Sequence, residues 1–391
     1  MRWITAIATA LAFCGQANAA SKSKEFTRPP FSGAYEPAGV DERGLWMLMD
    51  EEERSVRDSP TILNDPQLRD YLTGILCKTV GFDRCNTARI YIVKDKSFNA
   101  SMAPNGFMRI HTGLLARVFS ESELSAVLAH EFAHFELRHS LGKFRNIRRS
   151  TDVLAWVSLA GAVTNTNTSA LQNSIVLQIF SYSRENERDA DLLAAAYIRS
   201  SPYPMHFAQI WSRMSEEDNA NREERKQRKI SRFAPGPTDS HPTNAQRFVY
   251  LAKLEAEEGA QEGDDGASEY RAQTSRILPE LYSALVMGNE FSGADYVIRG
   301  RGDRLGWDSL LLTTRGDLYR QRGNPRDLVT AQAFFQKATQ DEAAPPEAWR
   351  GLGLTSLRIG ETAVGKTALQ QYLTRQPNAK DAASIKMLLE D

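Results

Sequence analysis

The sequence predicts a mainly α-helical protein with one small β-sheet, ending in an array of paired helices. Three observations predict it. Strand-like alternation is confined to "ARIYIVKD" and the "FNASMAPNGFMRIHTG" that follows it. Nearly everything else keeps a helical period between turn signals. Toward the C-terminus, small and aromatic residues recur at a repeat-like spacing. The chain has 391 residues, too many for one comfortable core, so two domains are expected. Its 41% hydrophobic and 25% charged residues are those of a globular protein. A formal net charge of −1 points away from nucleic acid as a partner.

Residues 1–19 read as a secretory signal peptide. They hold a basic Arg2, an apolar stretch over 4–13, and the small-residue site Ala17-Asn18-Ala19, with cleavage expected after Ala19. Phe13 stands before Cys14 where a lipoprotein signal wants a small residue, which argues against lipidation. The expected location is the periplasm. That compartment is oxidising, so Cys77 and Cys85 are expected to form a disulfide rather than remain two buried thiols. No later apolar run reaches membrane-spanning length, and the longest covers 153–163. The mature chain is therefore expected to lack a transmembrane segment.

Residues 20–40 are a flexible lead-in. Residues 41–81 are helical, with turns near "DSP" and "NDP". "ARIYIVKD" is a strand, and the next segment is a hairpin turning at Pro104-Asn105-Gly106. Ser120 with Glu123 forms a capping box that starts the next helix. Residues 151–200 give further helices around the loop "TNTNTS". Residues 215–232, "SEEDNANREERKQRKISR", are a solvated helix or a mobile loop; acids interleave with the bases, which disfavours a nucleic-acid role. "APGPTDSHPTNAQR" is a turn-rich connector leading to the helix "FVYLAKLEAEE". Residues 41–255 form the first domain, and 256–300 a linker and helical connector.

Residues 301–391 are the second domain. Trp349, Leu352, Gly353, Gly360, Gly365, Leu369 and Pro377 fall at tetratricopeptide-repeat spacings. Gly316, Tyr319, Gly323, Ala331, Phe335 and Ala338 form a weaker copy. Two repeats are few for a stable stack, so residues 278–297 are expected to add another helix pair or a cap. An ordinary helical hairpin is the plainer alternative.

The chemistry lies in "LSAVLAHEFAHFELRH". His130 and His134 are four apart and share one helix face, so both can reach one ion. Glu131 sits about 100° round, beside the ion rather than on it. This is H-E-x-x-H spacing: two neutral imidazoles bind Zn2+, one per chain, and the carboxylate takes a proton from water. Leu124, Val127, Leu128, Phe132 and Phe135 surround the three. Burying an unpaired carboxylate there would cost several kcal/mol, a penalty that a dication removes.

A catalytic zinc wants a third protein ligand and one open position. His139 lies five residues after His134, off the ligand face, and reads as a packing or supporting residue. "SYSRENERDADLLAAAYI" offers Glu185/Asp189 and Glu187/Asp191. The Glu187 face continues through Phe180, Ala190, Asp191, Ala194 and Ile198, mostly small or apolar. The Glu185 face runs through Gln178, Ser181, Arg188, Asp189 and Arg199, mostly polar. Glu187 is therefore the expected ligand, with Asp191 positioned to hold the outer nitrogen of a ligand histidine.

At "HEFAH", "SRENERDAD" and "SHPTNAQR" the chain resembles the HtpX-like and CaaX prenyl protease group of gluzincin zinc peptidases. It is most similar there to exported, BepA-like members that carry C-terminal tetratricopeptide repeats. The resemblance covers about 41–255, and the repeats about 305–391. It implies a zincin-like metallopeptidase domain. It also implies a metalloendopeptidase that hydrolyses misfolded or unassembled envelope proteins in protein quality control. Unfolded protein substrates are the implied partners, with outer-membrane assembly machinery reached through the repeats. The transmembrane helices of the membrane-embedded members are absent from the pattern. By the same resemblance, Asn99, Ala100, Ser101 and Met102 form an edge strand that pairs with an extended substrate. His241 and Arg247 approach the active site, where His241 either donates to the oxyanion or closes the metal as a fourth ligand. The competing reading is a non-proteolytic chaperone or scaffold with a structural zinc. Three ligands and an adjacent Glu131 describe an open site, whereas structural zinc is usually closed by four.

Overall fold

The computed structural model describes residues 36–150, 179–206, 208–228, 244–258 and 263–390. The leader, the stretch 153–163, the loop "TNTNTS", most of the turn-rich connector and His241 lie outside them.

Helix α1 (Gly39–Arg57) leads through residues 58–65 to α2 (Pro66–Val80). Asp65 starts α2 by accepting from the Leu68 N–H, and Pro66 occupies the first turn, where a missing N–H costs nothing. Gly81, at φ 107°, ends α2, and α3 (Phe82–Cys85) follows. A disulfide joins Cys77 to Cys85 and ties these two helices together.

Strands β1 (Arg89–Val93), β2 (Ala100–Met102) and β3 (Phe107–His111) form one sheet in the order β1-β3-β2. β1 and β3 are parallel, whereas β2 and β3 make an antiparallel hairpin with Ser101 opposite Arg109. Gly106 turns the hairpin at φ 93°, and a Cβ there would lie 2.2 Å from the Thr87 carbonyl oxygen, so only glycine fits. Alternation sends Ile90, Ile92, Ala100, Met102, Met108 and Ile110 into the main core. The opposite face meets α1 through charge. Arg89 donates twice to Glu53 at 2.6 Å, Arg109 to Glu52 at 3.0 Å, and the Tyr91 hydroxyl to Glu53 at 2.9 Å.

After α4 (Thr112–Leu115) comes α5 (Glu121–Glu136), the central helix, buried at every position from Glu121 to His134. Ser120 caps it, accepting from the Glu123 N–H at 3.1 Å. The expected capping box is half made. The Glu123 carboxylate takes the Phe119 N–H at 2.7 Å instead of that of Ser120, and Arg213 reaches the same oxygen at 2.6 Å. Helices α6 (His139–Ser150), α7 (Arg184–Arg199), α8 (Ala208–Glu224) and α9 (Asn244–Glu258) follow.

Two segments depart from the sequence reading. The polar stretch from residue 215 is helical through α8, but its face is docked rather than solvated. Glu217 is 8% exposed and accepts from Arg117 at 2.6 and 2.5 Å. Tyr296 donates to Glu216 at 2.6 Å, and Asn221 accepts the Gly293 N–H at 2.7 Å. Hydropathy could not reveal a face buried by ion pairs. Residues 256–300, read as a linker and helical connector, contain the helices α10 (Ala267–Ser275), α11 (Leu278–Val286) and the start of α12 (Phe291–Leu305), and differ from that reading in how they pack. These helices place Tyr270, Leu278, Tyr282, Leu285, Val297 and Ile298 in the same core as α5. The Tyr270 and Tyr282 hydroxyls donate to the carbonyls of Leu115 (2.6 Å) and Ala116 (2.9 Å), anchoring the approach to α5.

The C-terminal region is two helical hairpins, α13 (Ser309–Arg322) with α14 (Pro325–Ala338) and α15 (Pro346–Arg358) with α16 (Thr362–Arg375), followed by α17 (Ala382–Glu390). Missing side chains set their spacing. A Cβ on Gly316 or Gly351 would strike the Phe335 ring at 2.7 or 2.3 Å. Among the described residues, no helix is long and apolar enough to cross a membrane.

Candidate metal centre

One turn of α5 brings the Nε2 atoms of His130 and His134 to 3.1 Å from each other. Helix α7 packs alongside, with the Phe132 and Tyr197 rings 5.9 Å apart, and delivers Glu187. Its carboxylate oxygens lie 3.5 Å from His130 Nε2 and 3.6 Å from His134 Nε2. All three residues are buried, and their donor atoms fall within 4.8 Å of one another. Four tetrahedral donors at zinc bond lengths lie roughly 3.3 Å apart, so the set fits zinc. Two imidazoles and one carboxylate are also the donors zinc favours.

The register of α7 follows from its start. Ser183 caps it by accepting from the Asn186 N–H, and Asn186 caps back. Glu187, Ala190, Asp191, Ala194 and Ile198 are then buried, while Glu185, Arg188 and Arg199 are exposed. Glu187 thus faces α5 and Glu185 faces solvent.

Each histidine has a partner behind it. Asp191 Oδ1 lies 2.8 Å from His130 Nδ1. His139 Nδ1 lies 2.9 Å from His134 Nδ1. The Tyr182 ring stacks on His134 with centroids 3.9 Å apart, and its hydroxyl meets Ser140 Oγ at 2.8 Å. Burial pushes the His139 imidazole down to about 4, so it is neutral at physiological pH. Burial pushes the Tyr182 phenol up, so it stays protonated. Sequence reasoning passed over Tyr182, whose only signal is its place just before "SRENERDAD".

Glu131 is 6% exposed and follows His130 on α5. β2 runs beside α5. Asn99 and Ala103, which flank it, bond to His111 and Phe107 of the β3 strand, so the backbone groups of Ala100 and Met102 point to the opposite edge. Among the described residues, no strand pairs with that edge. His241 lies outside the described residues, as does the side chain of Arg247, whose backbone belongs to α9.

A two-histidine, one-carboxylate donor set with a buried glutamate beside the first histidine defines the H-E-x-x-H class of metallopeptidase centre. Residues 64–255 match Peptidase family M48. The chain is 27% identical over 175 residues to the putative beta-barrel assembly-enhancing protease of Vibrio cholerae, covering 42% of this chain and 36% of that one. It is 24% identical over 163 residues to the beta-barrel assembly-enhancing protease of Escherichia coli, covering 38% and 33%. It is 28% identical over 180 residues to the mitochondrial metalloendopeptidase OMA1 of Homo sapiens, covering 42% and 32%. The matched region spans about a third of the length of these relatives.

Proposed function

We propose that the protein is an exported, zinc-dependent endopeptidase that hydrolyses misfolded or unassembled envelope proteins. The observation that carries the reading is the buried meeting of His130, His134 and Glu187 beside Glu131. The names of the bacterial relatives, which concern β-barrel assembly, support the substrate class.

His130, His134 and Glu187 hold the ion. When bound, it polarises a peptide carbonyl and the attacking water. The chain's own residues do the rest. Asp191 fixes the ring of His130. Glu131 takes the proton of the attacking water and returns it to the leaving amine. The free edge of β2, at Ala100 and Met102, pairs with an extended substrate and lays its scissile bond across the site. An extended peptide bound this way is an unfolded one, which suits quality control. The C-terminal hairpins serve as repeats that receive clients or an assembly partner.

Zinc content measured together with casein cleavage tests the reading. The wild-type protein should hold one zinc per chain and cleave casein. Glu131→Gln should keep fold and zinc but lose about 10²- to 10⁴-fold in kcat. Cleavage by the variant at the wild-type rate would remove Glu131 as the base. A zinc-loaded wild type that cleaves no unfolded protein would favour the chaperone reading.

A further inference from the structure

The two ligand histidines are supported unequally. An imidazole that binds metal through Nε2 carries its proton on Nδ1, and that proton needs an acceptor. For His130 the acceptor is the Asp191 carboxylate at 2.8 Å. For His134 it is a second imidazole, His139 Nδ1 at 2.9 Å. Two ring nitrogens at that distance share one proton. With His134 donating, His139 Nδ1 must hold a lone pair and its own proton must sit on Nε2. His139 therefore supports the ligand only as a neutral ring in one tautomer.

The backbone is shaped to bring it there. Five residues along an unbroken helix is roughly 140° away from the starting face. Here α5 stops at Glu136, and Arg138 adopts φ 56°, a left-handed conformation in a non-glycine residue. The chain turns back, and α6 opens with His139 against His134, the two ring centroids 4.9 Å apart at 72°. Tyr182 stacks on the same ring, inclined by 19°. His134 is thus held by one side-on partner and one stacked partner, neither of them a carboxylate.

Charge gives this a purpose. Glu131, Glu187 and Asp191 already bring three carboxylates to the buried site of a dication. One behind His134 would bring a fourth, where excess charge is costly.

We propose that His139 is a positioning residue for the metal ligand His134, an uncharged acceptor that fixes its tautomer and ring orientation and thereby tightens metal binding. This rests on the reading of His130, His134 and Glu187 as zinc ligands.

The test is zinc affinity by chelator competition, on wild type, His139→Leu and His139→Gln, with the melting temperature of each metal-free protein. His139→Leu should weaken zinc roughly 10- to 100-fold, the size expected for a lost outer partner. His139→Gln, whose amide oxygen can accept, should recover much of that loss. Wild-type affinity in His139→Leu overturns the proposal. So does a lower melting temperature in both variants with affinity unchanged, which is the mark of packing alone. Nitrogen-15 NMR of the zinc-loaded wild type gives a readout that does not depend on the variants folding. His139 should show a bare Nδ1 and a protonated Nε2, and the opposite pattern overturns the proposal. Wild-type protein that binds no zinc would fault the ligand reading itself, a separate result.

Discussion

Helix α5 buries Glu121, Glu123, His130, Glu131 and His134, whereas α15 in the C-terminal hairpins buries Gly351, Leu352, Gly353, Thr355 and Ser356. Both helices lie deep in packed helical layers, but they are buried by different means. On α5 the charged groups face specific partners: Arg213 for Glu123, the Tyr203 hydroxyl at 2.8 Å for Glu121, Asp191 for His130. On α15 the neighbours come close because side chains are missing. A Cβ on Gly353 would lie 2.5 Å from Leu369, and one on Gly351 would lie 2.3 Å from Phe335. One region stores chemistry in its burial and the other stores shape. Substitutions should therefore separate the two, with site residues changing metal and activity and hairpin residues changing only stability.

The largest effect should come from Glu187→Ala. Zinc affinity should fall by more than the roughly 10- to 100-fold of an outer partner, because a direct ligand is lost. Glu185→Ala, on the exposed side of α7, should leave affinity unchanged. Metal titration of both variants decides, and equal losses would refute the register of α7.

Opening the Cys77–Cys85 disulfide comes next. It binds α2 to α3, and Arg84 of α3 forms an ion pair with Glu136 at the end of α5. Replacing both cysteines by serine should cost about 2–4 kcal/mol. The loss should appear around α2, α3 and α5, read by hydrogen exchange, with the hairpins little affected. Uniform loosening of both regions would show that the two do not differ in this respect.

Gly351→Ala should cost roughly 1–3 kcal/mol through the clash with Phe335. The melting temperature should fall while zinc affinity stays at the wild-type value. A change in zinc affinity would show that the hairpins and the metal centre are coupled.

The smallest effect concerns pH. Arg322 donates to Asp327 at 2.7 and 2.6 Å and holds its carboxyl below the usual value. A depressed folded-state pKa contributes stability above the unfolded value, about 3.9, and that stability is lost as pH falls through the lower folded value. Arg322 is partly exposed, so the pair is worth only about 0.5 kcal/mol. Asp327→Asn should lower stability slightly at neutral pH, and the difference should vanish in strong acid. A difference that persists there would mean the side chain acts through its cap on Asn324 rather than through its charge.

Local repetition made much of this legible beforehand. The four-residue spacing of His130 and His134, the apolar face that sets Glu187 apart from Glu185, and the Pro104-Asn105-Gly106 turn all follow from the backbone period or from a turn that only certain residues allow. The same holds for the paired helices spaced by Gly316 and Gly353. The sequence by itself determined these because each is a relation between near neighbours on one element. What the tertiary structure alone decided is which distant groups meet. Arg117 pairs with Glu217 across 100 positions, although either could have been solvated. Tyr270 and Tyr282 join the core around α5 from a stretch that reads as a linker and helical connector. His139 returns to His134 only because Arg138, with no glycine to announce it, turns left-handed. Charged, aromatic and turn residues are interchangeable in a local pattern, and only the packed chain selects among their many allowed partners.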